Sequence, residues 1–256
     1  MMDDEPWLPL RHELERWKKA KLRPLFWLRD DDAVEPTPAL DRLLALTKAH
    51  AVPVALAVIP AGAGKALAAR LEEAANATAV VHGWSHANHA AAGEKKQELG
   101  AHRPMDEVTR ELRQGVARCA ELFPGNFAPV LVPPWNRIDG NLIRCLPGLG
   151  FKALSVFGAA NAANGEILPH INTHVDLMDW HGTRRGRPHG ELVAAIVEQM
   201  QLRYEAEGGA IGILTHHLVH DEGAWTFLER LFAITANDEG NDWASISDLM
   251  VQRSMT

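Results

Sequence analysis

Short apolar runs alternate with longer stretches of helical periodicity along nearly the whole chain, and no other feature constrains its fold as tightly. Runs rich in β-branched or bulky apolar residues occupy 25–28, 52–59, 78–81, 130–132, 154–157, 171–177 and 211–214, with the length and composition of strands. Helical patterns lie between them. Thr37 followed by Pro38 reads as an N-cap with proline at the first helical position. Val108, Leu112, Val116, Cys119 and Leu122 fall at steps of four, four, three and three residues, and Leu192, Ile196, Met200 and Tyr204 at steps of four, the apolar stripes of amphipathic helices. Weaker helical patterns cover 66–75, 140–149 and 225–235. Strands that read as continuous apolar runs are covered on both faces, and a helix between successive strands enforces parallel pairing through right-handed crossovers. The expectation is an α/β fold, specifically an incomplete or distorted (β/α)7 barrel, with an open doubly wound sheet as the alternative. The polar stretch 93–104 interrupts the alternation and reads as a loop over one rim.

A chain of 256 residues with 46% hydrophobic content is expected to form one domain over 1–256. Lys and Arg total 26 against 33 Asp and Glu, a formal charge of -7, which argues against nucleic acid as a partner. The longest nearly apolar run, 52–63, is well short of the roughly 20 residues that span a bilayer, so no membrane insertion is expected. The first residues, Met1-Met2-Asp3-Asp4-Glu5-Pro6, are acidic where a secretory leader is basic, giving a cytoplasmic expectation. Cys119 and Cys145 are too few and too far apart for a zinc ribbon or disulfide framework and read as free thiols. The pattern leaves the oligomeric state open.

In barrels and open α/β sheets the active site lies beyond the carboxyl ends of the strands. Five of the seven runs end in ionisable or aromatic clusters: Arg29-Asp30-Asp31-Asp32, His82-Gly83-Trp84-Ser85-His86, Pro133-Pro134-Trp135-Asn136-Arg137, Asp176-Leu177-Met178-Asp179-Trp180 and Thr215-His216-His217. Two histidines four apart can aim both rings at one ion, yet spacing alone is weak. Thirteen histidines generate about two-thirds of a chance pair at any offset, and three such pairs occur: His82/His86, His170/His174 and His216/His220. His82/His86 is preferred because it directly follows a buried strand while the first strand supplies carboxylates. Three consecutive aspartates repel one another unless cations or hydrogen bonds offset the charge. Two imidazoles and one carboxylate leave coordination positions open, suiting zinc or another first-row divalent ion that carries a reactive water.

These clusters, in this order, resemble the five motifs of the polysaccharide deacetylases with the NodB homology domain, carbohydrate esterase family 4. Leu28-Arg29-Asp30-Asp31-Asp32-Ala33 is similar to the first motif, His82 through His86 to the second, Val132-Pro133-Pro134-Trp135 to the third, Asp176 through Trp180 to the fourth, and Leu214-Thr215-His216 to the fifth. The resemblance covers residues 25–217. It implies the distorted barrel, one divalent metal ion held by Asp32, His82 and His86, Asp31 as general base and His216 as general acid. It also implies an oxyanion or substrate-binding set of Pro134, Trp135, Asp176, Asp179 and Trp180, with the Trp135 backbone amide at the oxyanion. The implied ion is zinc in the first instance, with cobalt, iron, nickel or manganese as alternatives.

Two departures stand out: Val132 where the family has arginine, and Ala33 where it has glycine. Arg29 or Arg137 is the expected substitute for the missing guanidinium, and His217 competes with His216 as the acid. The implied activity is a hydrolase removing an acetyl group, N-acetyl before O-acetyl, from a sugar or glycan, an attack on a C–N bond other than a peptide bond. The alternatives are a barrel metallohydrolase of another small amide or ester and, because of Val132, a carbohydrate-binding pseudoenzyme.

Overall fold

The computed structural model describes residues 4–159, 167–236 and 240–254; Met1, Met2 and Asp3, which open the acidic N-terminus, lie outside them. Seven parallel strands curl into one sheet: β1 (Leu25–Ala33), β2 (Val54–Val58), β3 (Ala77–His82), β4 (Phe127–Val132), β5 (Ala153–Leu154), β6 (Val175–Asp176) and β7 (Ala210–Thr215). The order is β5-β4-β3-β2-β1-β7-β6. Around it lie α1 (Leu8–Lys19), α2 (Pro38–Ala49), α3 (Lys65–Glu72), α4 (Met105–Leu122), α5 (Gly140–Cys145), α6 (His189–Glu205), α7 (Glu222–Thr235) and α8 (Ile246–Ser254). This is the incomplete (β/α)7 barrel expected from the alternation.

Helix starts follow local chemistry. Thr37 accepts from the Leu40 amide at 3.0 Å, Asp139 from Asn141 at 2.8 Å and Asp221 from Ala224 at 3.0 Å, each satisfying an amide that the helix leaves unpaired. Strand parity separates two cores. Phe26 and Leu28 face outward and pack with Leu40, Leu43 and Leu44 under the helices. Trp27 faces inward among Ala55, Ala57, Val80, Ala128, Val130 and Val132, small residues that leave room for one large ring. Leu43 is fully buried, so its replacement by alanine costs about 2–5 kcal/mol.

The fifth and sixth strands are two residues each rather than 154–157 and 171–177. The barrel closes here through isolated bridges, Leu154 to His170 and Phe157 to Thr173. Backbone bonds continue the ladder here, from the Leu154 amide to the Pro169 carbonyl at 2.9 Å, the Ile171 amide to the Leu154 carbonyl at 2.9 Å and the Thr173 amide to the Val156 carbonyl at 3.0 Å. The Asn172 side chain adds to them, accepting from the Val156 amide at 3.1 Å and donating to the Gly158 carbonyl at 2.9 Å. The Trp27 indole crosses the interior to donate to the Asn172 carbonyl at 3.2 Å. A Cβ on Gly212 would come within 2.5 Å of that indole nitrogen and 2.6 Å of that carbonyl, so the seam requires glycine. The sequence reading lacked α1, α8 and β8 (Asp242–Trp243), which pairs with the start of β1.

Candidate metal centre

The end of β1 sorts three neighbouring carboxylates into three environments. Arg29 and Asp31 share the inward parity of Trp27, whereas Asp30 shares the outward parity of Leu28. Asp32 would follow Asp30, but its φ is +73° and the pairing of β1 with β2 shifts register between Asp30 and Ala33. Its carboxylate lies instead with the histidines after β3. Asp32 Oδ1 is 3.1 Å from His82 Nε2 and 3.3 Å from His86 Nε2, and the three prospective ligand atoms lie within 4.8 Å of one another. No other cluster of three metal-ligating side chains occurs among the described residues.

The second nitrogen of His82 decides what the cluster can hold. His82 Nδ1 faces the Val132 carbonyl at 2.9 Å and can only donate to it, which leaves the Nε2 lone pair directed at the Asp32 carboxylate. A lone pair facing an anion is repulsive, and either a proton on Nε2, which makes the ring cationic, or a metal ion between the two relieves it. The donor set therefore fits a divalent ion, and the carbonyl behind His82 is the usual outer partner of a metal-bound imidazole. Without an ion, burial alone would raise the Asp32 carboxyl, but the His82 hydrogen bond and the charges of His82, His216 and His86 outweigh it and hold it well below the usual range. For His82 burial opposes charging, yet the Asp32 hydrogen bond and the Asp31 and Asp32 carboxylates raise it. His86 moves down, through burial and the charge of His82.

Asp31 is gripped by Arg29, with Nε to Oδ1 at 2.8 Å and Nη2 to Oδ2 at 3.0 Å. Arg29 is fully buried, and its third arm donates to Ser155 Oγ at 2.7 Å and the Ser155 carbonyl at 3.0 Å. Arg137 is elsewhere: it donates to the Lys96 carbonyl at 2.8 Å. Asp30 accepts from Thr215 Oγ1 at 2.7 Å and the His217 amide at 2.9 Å, and closes on His217 Nδ1 in a short contact. Although burial favours the neutral carboxyl, His217 keeps Asp30 below its ordinary value, and Asp30 in turn raises His217 against the effect of burial. Asp30 and His217 are thus taken up by each other. His216, next in the chain, meets the edge of the Trp180 ring at 4.7 Å, and its Nδ1 has no hydrogen-bond partner.

Asp176 lies within electrostatic reach of both His216 and Asp31 and accepts from the Trp180 indole at 2.8 Å. Burial raises its carboxyl despite His216. Asp179 is spent on its own turn, accepting from the amides of Gly182 at 2.9 Å and Thr183 at 2.8 Å, so Asp176 is the carboxylate available to His216. Trp135 packs on His86 with ring centroids 4.3 Å apart, and buried Pro134 lies against the turn at Gly83. Eight described non-glycine residues have positive φ, and four of them, Asp32, His86, Trp135 and Asn136, belong to this rim. Such conformations cost of order 1 kcal/mol or more each and cluster where geometry is under functional constraint. Sequence reasoning gave no role to Ser155, Thr215 or Glu98. The side-chain parity of β1 is the signal that would have put Arg29 and Asp31 on one face.

A curled seven-stranded α/β barrel with an Asp-His-His cluster at the strand ends defines a class, the polysaccharide deacetylase fold, and the chain has that fold. No protein-family model and no curated protein matches the sequence. Solved structures do match in three dimensions. A protein from Mycobacterium smegmatis described as a polysaccharide deacetylase superposes with a TM-score of 0.67 at 14% identity, covering 91% of each chain. A family 4 acetyl xylan esterase from Clostridium thermocellum, in complex with a cobalt ion, has a TM-score of 0.57 at 16% identity, covering 89% of this chain and 91% of its own. A peptidoglycan N-acetylglucosamine deacetylase has 0.53 at 16%, covering 88% of this chain and 86% of its own.

Proposed function

We propose that this chain is a metal-dependent hydrolase that removes an acetyl group, N-acetyl in the first instance, from a sugar or glycan. The observation that carries the reading is the convergence of Asp32 Oδ1, His82 Nε2 and His86 Nε2 beside a second carboxylate, Asp31, held off the cluster by Arg29. A divalent ion on the three ligands supplies Lewis acidity toward a water and the acetyl carbonyl, with zinc, cobalt, iron, nickel or manganese all compatible with the donors. Asp31 takes the water proton on a carboxylate oxygen, its orientation fixed by the two-pronged guanidinium. His216 hands a proton to the departing amine nitrogen, with the Trp180 ring against it and the Asp176 carboxylate within electrostatic reach to favour its charged form. The Trp135 amide donates to the oxyanion, and the Trp180 face, 39% of whose residue surface is exposed, offers an apolar wall for a sugar.

The Arg29 clamp supports catalysis over a binding-only role, since it gives Asp31 the guanidinium whose absence at Val132 motivated the pseudoenzyme alternative. The fold's occurrence in an acetyl xylan esterase and in an N-acetylglucosamine deacetylase supports an acetylated carbohydrate and leaves the ester and amide both in view. The test is metal content and acetate release from N-acetylated and O-acetylated oligosaccharides. Wild type is expected to release acetate with one ion per chain; release of phosphate or ammonia from other substrates without acetate would replace the reading.

A further inference from the structure

The polar run within 93–104, read from sequence as a rim loop, ends in a glutamate that is only 1% exposed. A buried carboxylate is costly unless its oxygens are satisfied. Glu98 has no salt bridge among those of the described residues. Its partners are the Ser85 amide at 2.7 Å, the Ser85 hydroxyl at 3.1 Å, and the Trp84 amide at 3.2 and 3.3 Å from its two oxygens. Those donors belong to the three residues that separate His82 from His86. We propose that Glu98 is a positioning residue for the metal centre, clamping the turn that aims His86 at Asp32; this rests on the reading of Asp32, His82 and His86 as metal ligands.

Three observations carry the inference. First, the turn is cut to receive the carboxylate: a Cβ on Gly83 would lie 2.0 Å from Glu98 Oε2 and 2.7 Å from Pro134 Cγ, and Gly83 has φ +59°. Second, His86 itself has φ +58°, a conformation that an unrestrained histidine leaves readily. Amides 84 and 85, bonded to a fixed anion, hold the backbone that leads into it. Third, Glu98 is anchored from the opposite side. The Leu99 carbonyl accepts from the Asp139 amide at 2.8 Å, Leu99 bridges Ile138, and Arg137 donates to the Lys96 carbonyl at 2.8 Å. The loop that anchors Glu98 also carries Trp135, whose ring lies on His86. One carboxylate thus joins the turn of the second cluster to the turn of the third. Groups that hydrogen-bond a metal ligand directly change affinity by about 10–100-fold when removed; Glu98 acts one step further out, through the backbone of the turn.

The test is cobalt titration of purified protein, read by the visible absorption bands of the bound ion, on wild type, E98A, E98Q and E98D. E98A is expected to bind cobalt more weakly, by up to about 100-fold, with shifted bands. E98Q, which keeps an oxygen for the Ser85 amide and hydroxyl, is expected to recover most of the affinity; E98D, whose carboxylate is one methylene too short, is not. Far-ultraviolet circular dichroism of the metal-free proteins separates a local change from a fold that fails. If E98A does not fold, the order of E98Q and E98D decides. Wild-type affinity and wild-type bands in E98A, or in E98D where E98A is lost, overturn the inference. A wild-type protein that binds no cobalt instead overturns the metal reading on which it rests.

Discussion

Asp30 and Asp32 are two residues apart on one strand, each against histidine, and they do opposite things. Asp30 meets a single His217 Nδ1 and fills its remaining acceptor capacity with the His217 amide and the Thr215 hydroxyl, in a place where both side chains are at most 1% exposed. Opposite charges there neutralise each other in a pair closed to solvent, with His217 Nε2 buried on the far side of the ring. Asp32 meets two imidazoles on one oxygen, with its side chain 34% exposed, and His82 has already committed its Nδ1 to Val132. The same residue types make a closed ion pair on one side of the strand and a candidate cation site on the other, and the difference lies in which ring nitrogen faces the carboxylate and how much solvent reaches it.

The largest effect that sharpens this contrast is expected at Asp32. Asp32→Ala should lose the bound ion and acetate release together, measured by metal analysis and an acetate assay. If Asp30→Asn did the same while Asp32→Ala retained metal, the two sites would have to be exchanged. Next comes Asp31, which separates binding from proton transfer. Asp31→Asn should keep one ion per chain and lower kcat about 100- to 10,000-fold. Arg29→Lys, which keeps charge but loses the fork, should lower kcat less, and Arg137→Met least.

Asp30→Asn should instead read out in stability. Breaking a buried pair from one side costs about 3–5 kcal/mol, seen as a lower midpoint in urea, while the folded protein still takes up metal. A half-buried histidine has a cation rather than a carboxylate for company. Burial, then the charge of Arg203, push His174 down to about 3. The unfolded chain binds its proton near pH 6.5 and the folded one only near pH 3, so stability attributable to His174 is complete above pH 6.5. It then falls by at most about 1.4 kcal/mol per pH unit through that window. His174→Gln should flatten the acid limb of a urea-midpoint profile; an unchanged limb would put the acid sensitivity elsewhere.

Much of this was legible before any coordinates because burial on both faces writes apolar runs directly into the chain. β1 to β4 and β7 fall where those runs lie. The seam was only partly legible: β5 and β6 are two residues each, and the backbone bonds between 154–158 and 169–173 are supplemented by the side chain of Asn172, whose amide has no periodicity. β8, at two residues, is too short for a pattern. The Asp32, His82 and His86 cluster was anticipated because the histidine pair directly follows a buried strand while the first strand supplies carboxylates, and the three side chains do converge. Glu98 was not: twelve residues beyond His86 in a charged run, it looks like any solvated glutamate until the loop folds back over the turn. The separation of Asp30, Asp31 and Asp32 was half legible. Parity divides the first two, while the third depends on a positive φ that aspartate tolerates but does not announce.

Anomalous diffraction from crystals soaked in cobalt or zinc tests the central claim most directly. One strong peak is expected, within about 2.3 Å of Asp32 Oδ, His82 Nε2 and His86 Nε2, with Asp30 and His217 bare. A peak between Asp30 and His217, at the His170/His174 pair, or nowhere in a fully soaked crystal would contradict it.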